Sequence, residues 1–339
     1  MKSIYDLSFS DLENYLVENS FKKYRASQIF EFLYDKRVSS FDDMKNIGQD
    51  LINHLKDNFS IERLSLEKEE IDTDVNKYLF KLFDSRYIEC VLMRHNYGLS
   101  LCISSQVGCN MGCTFCESGR LKKVRNLSPS EMVMQIMMVE DLIKTKITHI
   151  VVMGIGEPFD NYDNIVKFIE IANHHKALNI GARHITISTC GIIPKIKEFS
   201  KLKYQVNLAI SLHAPNDELR TKLMPINKAY PLKDLIKTLK EYINKTGRRI
   251  TFEYIMLDNI NDKEENAYEL CKLIKGMNAY INLIPYNESS NILYKRSKKD
   301  KIMKFYDIIK KEGINVTIRR EFGSNISAAC GQLRSKKEE

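Results

Sequence analysis

The chain has 339 residues, 43% of them hydrophobic, and carries a formal net charge of +8 with a pI near 8.9. This composition is typical of a soluble globular protein and excludes fibrous and disordered classes. No apolar run approaches the ~18 residues of a membrane span, and acidic residues interrupt the N-terminal segment too often for an export signal. Eight cysteines in such a chain predict a reducing, cytoplasmic location without membrane association, and the basic charge favours polyanionic partners.

Residues 1–58 are predicted to form a small N-terminal helical accessory domain. Ser10 and Glu13 fit a capping box ahead of LENYLVEN, and residues 26–37 repeat apolar side chains at helical spacing. Residues 59–98 are predicted to form a β-rich connector, because the segment 77–95 alternates apolar and polar residues as strands do.

Residues 99–335 are predicted to form an α/β core, with 336–339 as a short charged tail. Short apolar strands alternate there with longer helical stretches; in one of these Ser128 caps the helix, Pro129 is its first residue and Glu131 completes the box. Such alternation predicts a parallel sheet, either barrel-like or doubly wound. The seven candidate strands span 99–104, 149–154, 184–189, 206–213, 249–257, 280–286 and 315–320.

In barrels, residues at the carboxyl ends of the parallel strands line the active site. A cysteine-rich loop follows the first candidate strand, and GIGEP (154–158) follows the second. Ser188 and His213 end the third and fourth. The sequence therefore predicts that these four features meet at one edge of the sheet.

The cysteine-rich loop contains Cys109, Cys113 and Cys116 in a C-x3-C-x2-C pattern, with no fourth cysteine nearby. Three thiolates can hold three irons of a cubane cluster and leave the fourth iron open for a substrate or cofactor. Structural zinc is the main alternative, although it prefers four ligands. A disulfide framework is excluded for an intracellular chain of this length.

Basic residues are concentrated in two places. Arg120, Lys122, Lys123 and Arg125 follow the last cysteine of the loop, where they can hold a phosphate backbone over a reactive centre. Residues 295–311 contain eight basic and two acidic side chains, which fit either one solvated helix face or a nucleic-acid contact.

Several further motifs occur in order along the chain and reach almost to its end. They are MGIGEPFDN (153–161), ISTCG (187–191), ISLHAPN (210–216), MPIN (224–227), NLIPYN (282–287) and AACGQL (328–333). Together with the cysteine loop, they resemble the radical S-adenosylmethionine RNA methyltransferases of the RlmN/Cfr family. The resemblance implies a partial (β/α)6-type barrel that holds a 4Fe–4S cluster through Cys109, Cys113 and Cys116 and binds S-adenosylmethionine at the open iron.

The resemblance also implies the residues that contact the cofactor. Gly156 and Glu157 would contact its amino group, Leu212 would contribute backbone, and Asn287 would hold the ribose. The full implied set is Gly156, Glu157, Ser188, Ser211, Leu212, His213 and Asn287. Without the family pattern, His213 and Glu157 would be read as an ordinary strand-end histidine and a surface carboxylate.

By the same resemblance, Cys330 carries a methyl group, Cys102 is the resolving thiol and Glu89 is the proton acceptor. One S-adenosylmethionine would methylate Cys330, and a 5′-deoxyadenosyl radical from a second would remove hydrogen from that methyl. The methylene radical would add to an electron-poor carbon of adenine, and a Cys102–Cys330 disulfide would release the methylated RNA. By its strand pattern alone, Cys102 would be a packing thiol; no role is assigned to Cys90, Cys190 and Cys271.

The implied substrates are 23S rRNA and tRNA, with a flavodoxin or ferredoxin as electron donor and a monomeric enzyme. SSQVGC and the proline of GEP favour methylation of adenine C2. The alternative is C8 methylation, whose branch usually carries a second cysteine before GC and an alanine after GE. A zinc-stabilised RNA-binding protein without catalysis is a further alternative. Glu117 departs from the family pattern, and its role is left open between cluster polarity and RNA contact.

Overall fold

The computed structural model describes residues 1–289, 292–319 and 331–333. Its strands are β1 (Lys2–Ser3), β2 (Phe59–Ser60), β3 (Ser65–Ile71), β4 (Val75–Lys81), β5 (Tyr87–His95), β6 (Gly98–Ile103), β7 (Gln106–Val107), β8 (Arg125–Asn126), β9 (His149–Val152), β10 (Ile185–Thr189), β11 (Asn207–Ser211), β12 (Ile250–Met256), β13 (Ala279–Pro285) and β14 (Asn315–Ile318). Its α-helices are α1 (Phe9–Glu18), α2 (Arg25–Phe30), α3 (Gln49–Asn58), α4 (Pro129–Ile143), α5 (Tyr162–Asn173), α6 (Ile193–Phe199), α7 (Asp217–Leu223), α8 (Leu232–Thr246), α9 (Glu264–Ile274) and α10 (Lys299–Lys311).

A ten-stranded mixed sheet organises the described part of the chain, in the order β14-β13-β12-β11-β10-β9-β6-β5-β4-β3. Within it, β6 and β9 to β14 are parallel to their neighbours, whereas β3, β4 and β5 extend the sheet in antiparallel fashion. The seven parallel strands are those predicted, each within two residues at either end. Six strand-to-strand connections carry helices, which confirms the α/β barrel-like fold.

The two faces of the sheet differ in polarity, and this difference places the site. The helix-facing side contributes Ile187, Ile210 and Phe252 to the main apolar core. The inner face carries polar side chains in register, with Ser211 beside Glu253 and Asn282 next to Glu253 on the following strand. The interior of the partial barrel is therefore a polar space rather than a second apolar core.

The N-terminal helices pack together and dock on the outside of the barrel. Parallel pairing of Lys2 with Phe59 joins the two ends of this segment. Lys167 on α5 lies 2.8 Å from the Asp11 carboxylate, and the Ser130 amide of α4 donates to Asp6 at 2.9 Å. These contacts attach the segment to α4 and α5, two helices that cover the sheet.

The predicted caps of α1 and α4 had different outcomes. The capping box of α4, with Ser128, Pro129 and Glu131, is confirmed. The box predicted for α1 is wrong, because Ser8 and Asp11 form it instead of Ser10 and Glu13. The Ser10 hydroxyl donates to the Glu170 carboxylate on α5 at 2.9 Å, so docking against the barrel engages it. No helix of the described residues is both long and apolar enough to cross a bilayer.

Gln135 of α4 fixes the point where β6 leads into the cysteine loop. Its side chain is fully buried, accepts from the Ser104 amide at 2.9 Å and donates to the Ser104 carbonyl at 3.1 Å. Gln135→Leu should lower the free energy of unfolding by about 2–4 kcal/mol, because it leaves two buried backbone groups without partners. Urea unfolding measures this. Gln49→Leu on the exposed face of α3 is the control and should change stability by less than about 0.5 kcal/mol; equal effects would refute the assignment.

Candidate active site

A cavity of about 150 Å³ opens at the carboxyl edge of the parallel strands, as predicted. Eight of the residues predicted for metal or cofactor binding line it. They are Cys109, Cys113, Cys116, Gly156, Glu157, Ser188, Ser211 and His213. These residues lie in the loops after β6 and β9, at the ends of β10 and β11, and just after β11. The parallel topology therefore brings together residues that span more than 100 positions of the sequence.

The cysteine loop is held by backbone bonds to neighbouring segments. The Cys109 amide donates to the Leu121 carbonyl, and the Thr114 amide donates to the Leu223 carbonyl, both at 3.0 Å. Gly119 allows the loop to close on itself, since a Cβ there would lie 2.8 Å from the Cys113 carbonyl oxygen. The loop is therefore anchored on both sides of its three thiols.

Glu157 joins the loop after β9 to the end of β10. Its carboxylate is buried and accepts from the Cys190 amide at 2.8 Å and from the Phe159 amide at 3.0 Å. Burial raises the pKa of Glu157 above its usual value. Because each carboxylate oxygen can accept a second hydrogen bond, Glu157 can also receive an ammonium group.

His213 is held in an unusual backbone conformation with its ring turned into the cavity. Its φ is +57°, a left-handed value that is uncommon outside glycine. The ring Nδ1 accepts from the Ile255 amide at 3.1 Å, and burial lowers the His213 pKa to about 3. The imidazole is therefore neutral at pH 7 and carries its proton on Nε2, which leaves one donor for a ligand.

Arg220 on α7 was missed by sequence reasoning, although it holds the site together. The side chain is completely buried, and its guanidinium donates to the carbonyls of Cys190 at 2.7 Å and Ser211 at 3.3 Å. It also donates to the Leu212 carbonyl and the Asn227 side chain. A single arginine thus fixes the carboxyl ends of two strands, and an arginine in a helical sequence gives no signal that it is buried.

Four predicted residues lie outside the cavity lining. Leu212 points into the main core and contributes its backbone, whose amide donates to the Glu253 carbonyl at 3.1 Å. Asn287 is buried just beyond the end of β13. Cys102 on β6 and Glu89 on β5 project from the inner face of the sheet, and the Glu89 carboxylate lies 3.7 Å from Lys77.

The segment after Cys330 packs against both the cysteine loop and Cys102. Cys330 itself lies outside the described residues. Gly331, which follows it in the chain, lines the cavity and accepts from the Glu117 amide at 2.8 Å. Leu333 is buried in the same apolar cluster as Cys102, and its carbonyl accepts from the Ser118 hydroxyl at 2.7 Å.

Glu117 is a buried structural residue rather than an exposed one. Its side chain is 3% exposed and accepts from the Ser289 hydroxyl, while its amide holds Gly331. Of the two roles left open by the sequence, contact with RNA is disfavoured by this burial. Glu117 joins the cysteine loop to the two segments that follow β13 and Cys330.

Two family models match the chain: "Radical SAM superfamily" over residues 103–271, and "Ribosomal RNA large subunit methyltransferase N-terminal domain" over residues 2–61. A "probable dual-specificity RNA methyltransferase RlmN" of Spiroplasma citri is 54% identical, over 100% of this chain and 99% of the relative. One of the same description from Acholeplasma laidlawii is 51% identical, over 98% and 99%. The crystal structure of a radical SAM methyltransferase from Sphaerobacter thermophilus superposes with a TM-score of 0.93 at 38% identity, over 98% and 99%.

The chain belongs to the RlmN family of radical S-adenosylmethionine methyltransferases. This confirms the family that the motifs predicted. Members of the radical SAM superfamily use a 4Fe–4S cluster and S-adenosylmethionine, and these are the cofactors of the RlmN-type fold described above.

The three thiols of this RlmN-family loop fit a cluster by their chemistry. Burial raises the pKa of Cys109 to about 12 and that of Cys113 well above its usual value, so both stay protonated until a metal cation replaces the proton. Across 1–289, 292–319 and 331–333, no three His, Cys, Asp or Glu side chains are already arranged to hold a metal ion. We therefore expect the cysteines to change rotamer on binding the cluster.

The basic residues beside the thiols are largely used internally. Arg125 lies 2.8 Å from the Glu131 carboxylate and 2.6 Å from Asp84, and Lys123 lies 2.7 Å from Asp160. In the second basic run, α10 buries Ile302 and Phe305 and leaves most of its lysines exposed, as a solvated helix face does.

Gly156 provides a sharp test of the cofactor pocket. Its φ is +109°, and a Cβ there would lie 2.6 Å from the Gln106 Cβ. Gly156→Ala should destabilise the protein by about 2 kcal/mol or more, through backbone strain and overpacking, and should abolish S-adenosylmethionine binding. Thermal unfolding and calorimetric titration measure the two effects. Gly181→Ala meets no atom within 4 Å and serves as the control. Equal behaviour of the two variants would contradict the pocket geometry.

Proposed function

We propose that this protein methylates C2 of an adenine in 23S rRNA and of an adenine in tRNA, through a methyl group carried on Cys330. Its family membership makes it an S-adenosylmethionine-dependent radical RNA methyltransferase. The observation that carries the proposal is the packing around the last motif. Gly331 lines the thiol cavity and Leu333 lies in the apolar cluster that contains Cys102, so one short segment reaches both places that the reaction needs.

In this proposal, Cys109, Cys113 and Cys116 hold the cluster, and the cavity beside them receives S-adenosylmethionine. When bound, the cluster supplies the electron that cleaves the sulfonium to give a 5′-deoxyadenosyl radical. Glu157 binds the ammonium of the cofactor, and neutral His213 donates from Nε2. Ser188, Ser211 and the Leu212 backbone complete the pocket, and Asn287 binds the ribose.

Cys330 carries the methyl group and Cys102 releases it. Cys330 takes a methyl from the sulfonium by displacement and holds it as a thioether. The 5′-deoxyadenosyl radical would remove a hydrogen atom from this methyl, and the methylene radical would add to C2 of adenine. The adduct would then return one electron to the bound, oxidised cluster; Glu89 would accept the C2 proton, and the Cys102 thiolate would attack the Cys330 sulfur. The new disulfide frees the carbon, which takes a proton and leaves as the methyl group. Both Glu89 and Cys102 are buried, which limits the access of water to these steps.

Two buried residues favour C2 over C8. Val107, in SSQVGC, stands where the C8 branch usually carries a cysteine, and Pro158 stands where that branch usually carries an alanine. Both side chains are buried next to the cofactor loops, so the difference lies at the site and not on the surface. A flavodoxin or ferredoxin as reductant, a monomeric state and a cytoplasmic location complete the proposal.

Anaerobic reconstitution with iron and sulfide, followed by incubation with S-adenosylmethionine, a reductant and a 23S rRNA fragment, tests the reaction. A brown protein that yields 2-methyladenosine by mass spectrometry is expected. Cys113→Ala should lose both colour and activity because it removes one iron ligand. Formation of 8-methyladenosine would overturn the C2 assignment, and a colourless zinc protein would overturn the catalytic mechanism.

Substitution of the two further cysteines should separate the steps. Cys330→Ala should retain the cluster but lose methylation, because the methyl carrier is gone. Cys102→Ala should accumulate a covalent protein–RNA adduct, seen as a shifted band on a denaturing gel. Cys271→Ala on α9 is the matched control and should turn over normally. Full turnover by either of the first two variants would remove its assigned role.

A further inference from the structure

A second and larger cavity, of about 850 Å³, opens at the opposite edge of the barrel, where the parallel strands begin. Its walls come from the turn between β5 and β6, from the residues just before β10 and β12, and from the polar inner face of the sheet. Ser100, Thr186, Asn207 and Thr251 line the interior together with Met93, Val151 and Met153, so polar and apolar side chains share its wall. None of the residues assigned to the cluster or the cofactor lines it.

Arginines give a positive charge to the opening of this larger cavity, which we call the amino-terminal mouth. Its lining contains four arginines and one acidic residue, Glu253; the arginines are Arg183, Arg248, Arg249 and Arg319. Arg183 is exposed and donates to the neutral Gln205 side chain at 3.0 Å, rather than to a carboxylate. Arg249 is also exposed and lies over the Tyr280 ring at 5.0 Å. Guanidinium groups held in this way can contact phosphates without first breaking an ion pair.

A row of aromatic rings begins at the same mouth, which His95 and Tyr97 line, and continues to His149 and His184. The rings of His95 and Tyr97 stack at 4.5 Å, Tyr97 meets His149 edge to face at 5.1 Å, and His149 stacks on His184 at 4.3 Å. Tyr97 is 65% exposed although it is a large aromatic residue. Exposed rings beside arginines are the combination that binds single-stranded nucleic acid, because every base offers a face for stacking.

The mouth and the cofactor cavity are joined through the barrel interior. Met153, Glu253 and Arg319 line both cavities. Cys102 follows Ser100 on the inner face of β6 and is paired with Val151, another wall residue. Cys102 therefore lies buried in the sheet beside this interior and lines neither cavity. Asn207 and Ser211 are four residue steps apart along β11, a path of about 13 Å.

We propose that the amino-terminal mouth of the barrel binds the single-stranded RNA nucleotides that flank the target adenine. The arginines hold the phosphates, the ring row stacks flanking bases, and the adenine reaches Cys102 and the cofactor cavity through the polar interior. This inference rests on the proposed RNA methylation. It places the RNA contact at the opposite edge of the sheet from the thiols. The basic residues beside the thiols were the predicted contact, and two of them are paired internally.

The first test measures binding of a 23S rRNA hairpin to the reconstituted full-length protein over a range of salt concentrations. Arg183→Gln with Arg249→Gln should raise Kd at least tenfold and reduce the slope of log K against log salt by about 1.4–1.8, for two lost phosphate contacts. Lys237→Gln with Lys240→Gln removes the same charge from the exposed face of α8 and should leave the slope unchanged. Equal Kd and slope for the two double variants would overturn the proposal.

A second pair of variants tests the rings. Tyr97→Ser should weaken hairpin binding about fivefold or more, whereas Tyr97→Phe should bind as the parent does because it keeps the stacking face. Identical binding by both would remove the ring row from the site. Methylation of Cys330 by S-adenosylmethionine needs no RNA, so it should persist in every mouth variant. Failure of the parent protein to methylate RNA would refute the proposed function. The hairpin affinities would still test whether the amino-terminal mouth binds RNA.

Discussion

The parallel order β6-β9-β10-β11, in which each strand pairs with the next, is the constraint on which the rest of the molecule depends. Parallel strands end at the same edge of a sheet, so loops far apart in sequence meet there. The thiols, the carboxylate of Glu157 and the ring of His213 share one cavity for this reason alone. Arg220 reinforces the arrangement, since its buried guanidinium holds the carbonyls of two of these strand ends.

The site is closed from a second direction by the end of the chain. Backbone bonds from Glu117 and a hydroxyl bond from Ser118 hold Gly331 and Leu333 against the cysteine loop. Leu333 lies in the apolar cluster that contains Cys102 on the inner face of the sheet. The proposed disulfide between Cys102 and Cys330 needs this proximity, because the two sulfurs must come within bonding distance. The buried Glu117 carboxylate accepts from the Ser289 hydroxyl, so the departure from the family pattern adds a contact inside the protein and not a surface for RNA.

The barrel interior connects chemistry at one edge with recognition at the other. Its polar lining, with Glu253 and Asn282 in register on adjacent strands, keeps it hydrated and unlike an apolar core. In the proposed function, a cluster and cofactor would occupy the carboxyl edge and leave the amino edge as the approach for RNA. The arginines and rings gathered there come from the turn between β5 and β6, from the segments before β10 and β12, from the start of β9 and from the residue after β14. Each is unremarkable in its own segment of sequence.

The sequence alone determined the strands of the barrel, the cap of α4 and the family, because these depend on local periodicity and on short motifs whose chemistry is fixed. The sequence could not predict that the Ser10 hydroxyl donates to Glu170 on another helix instead of capping α1. Nor could it predict that Arg125 forms ion pairs with Glu131 and Asp84. Burial of Arg220 and the assembly of the amino-terminal mouth were likewise decided only by tertiary structure. Such features arise from contacts between residues distant in the chain, and the charge or ring of a single residue is the same whether it faces water, a carboxylate or an RNA phosphate.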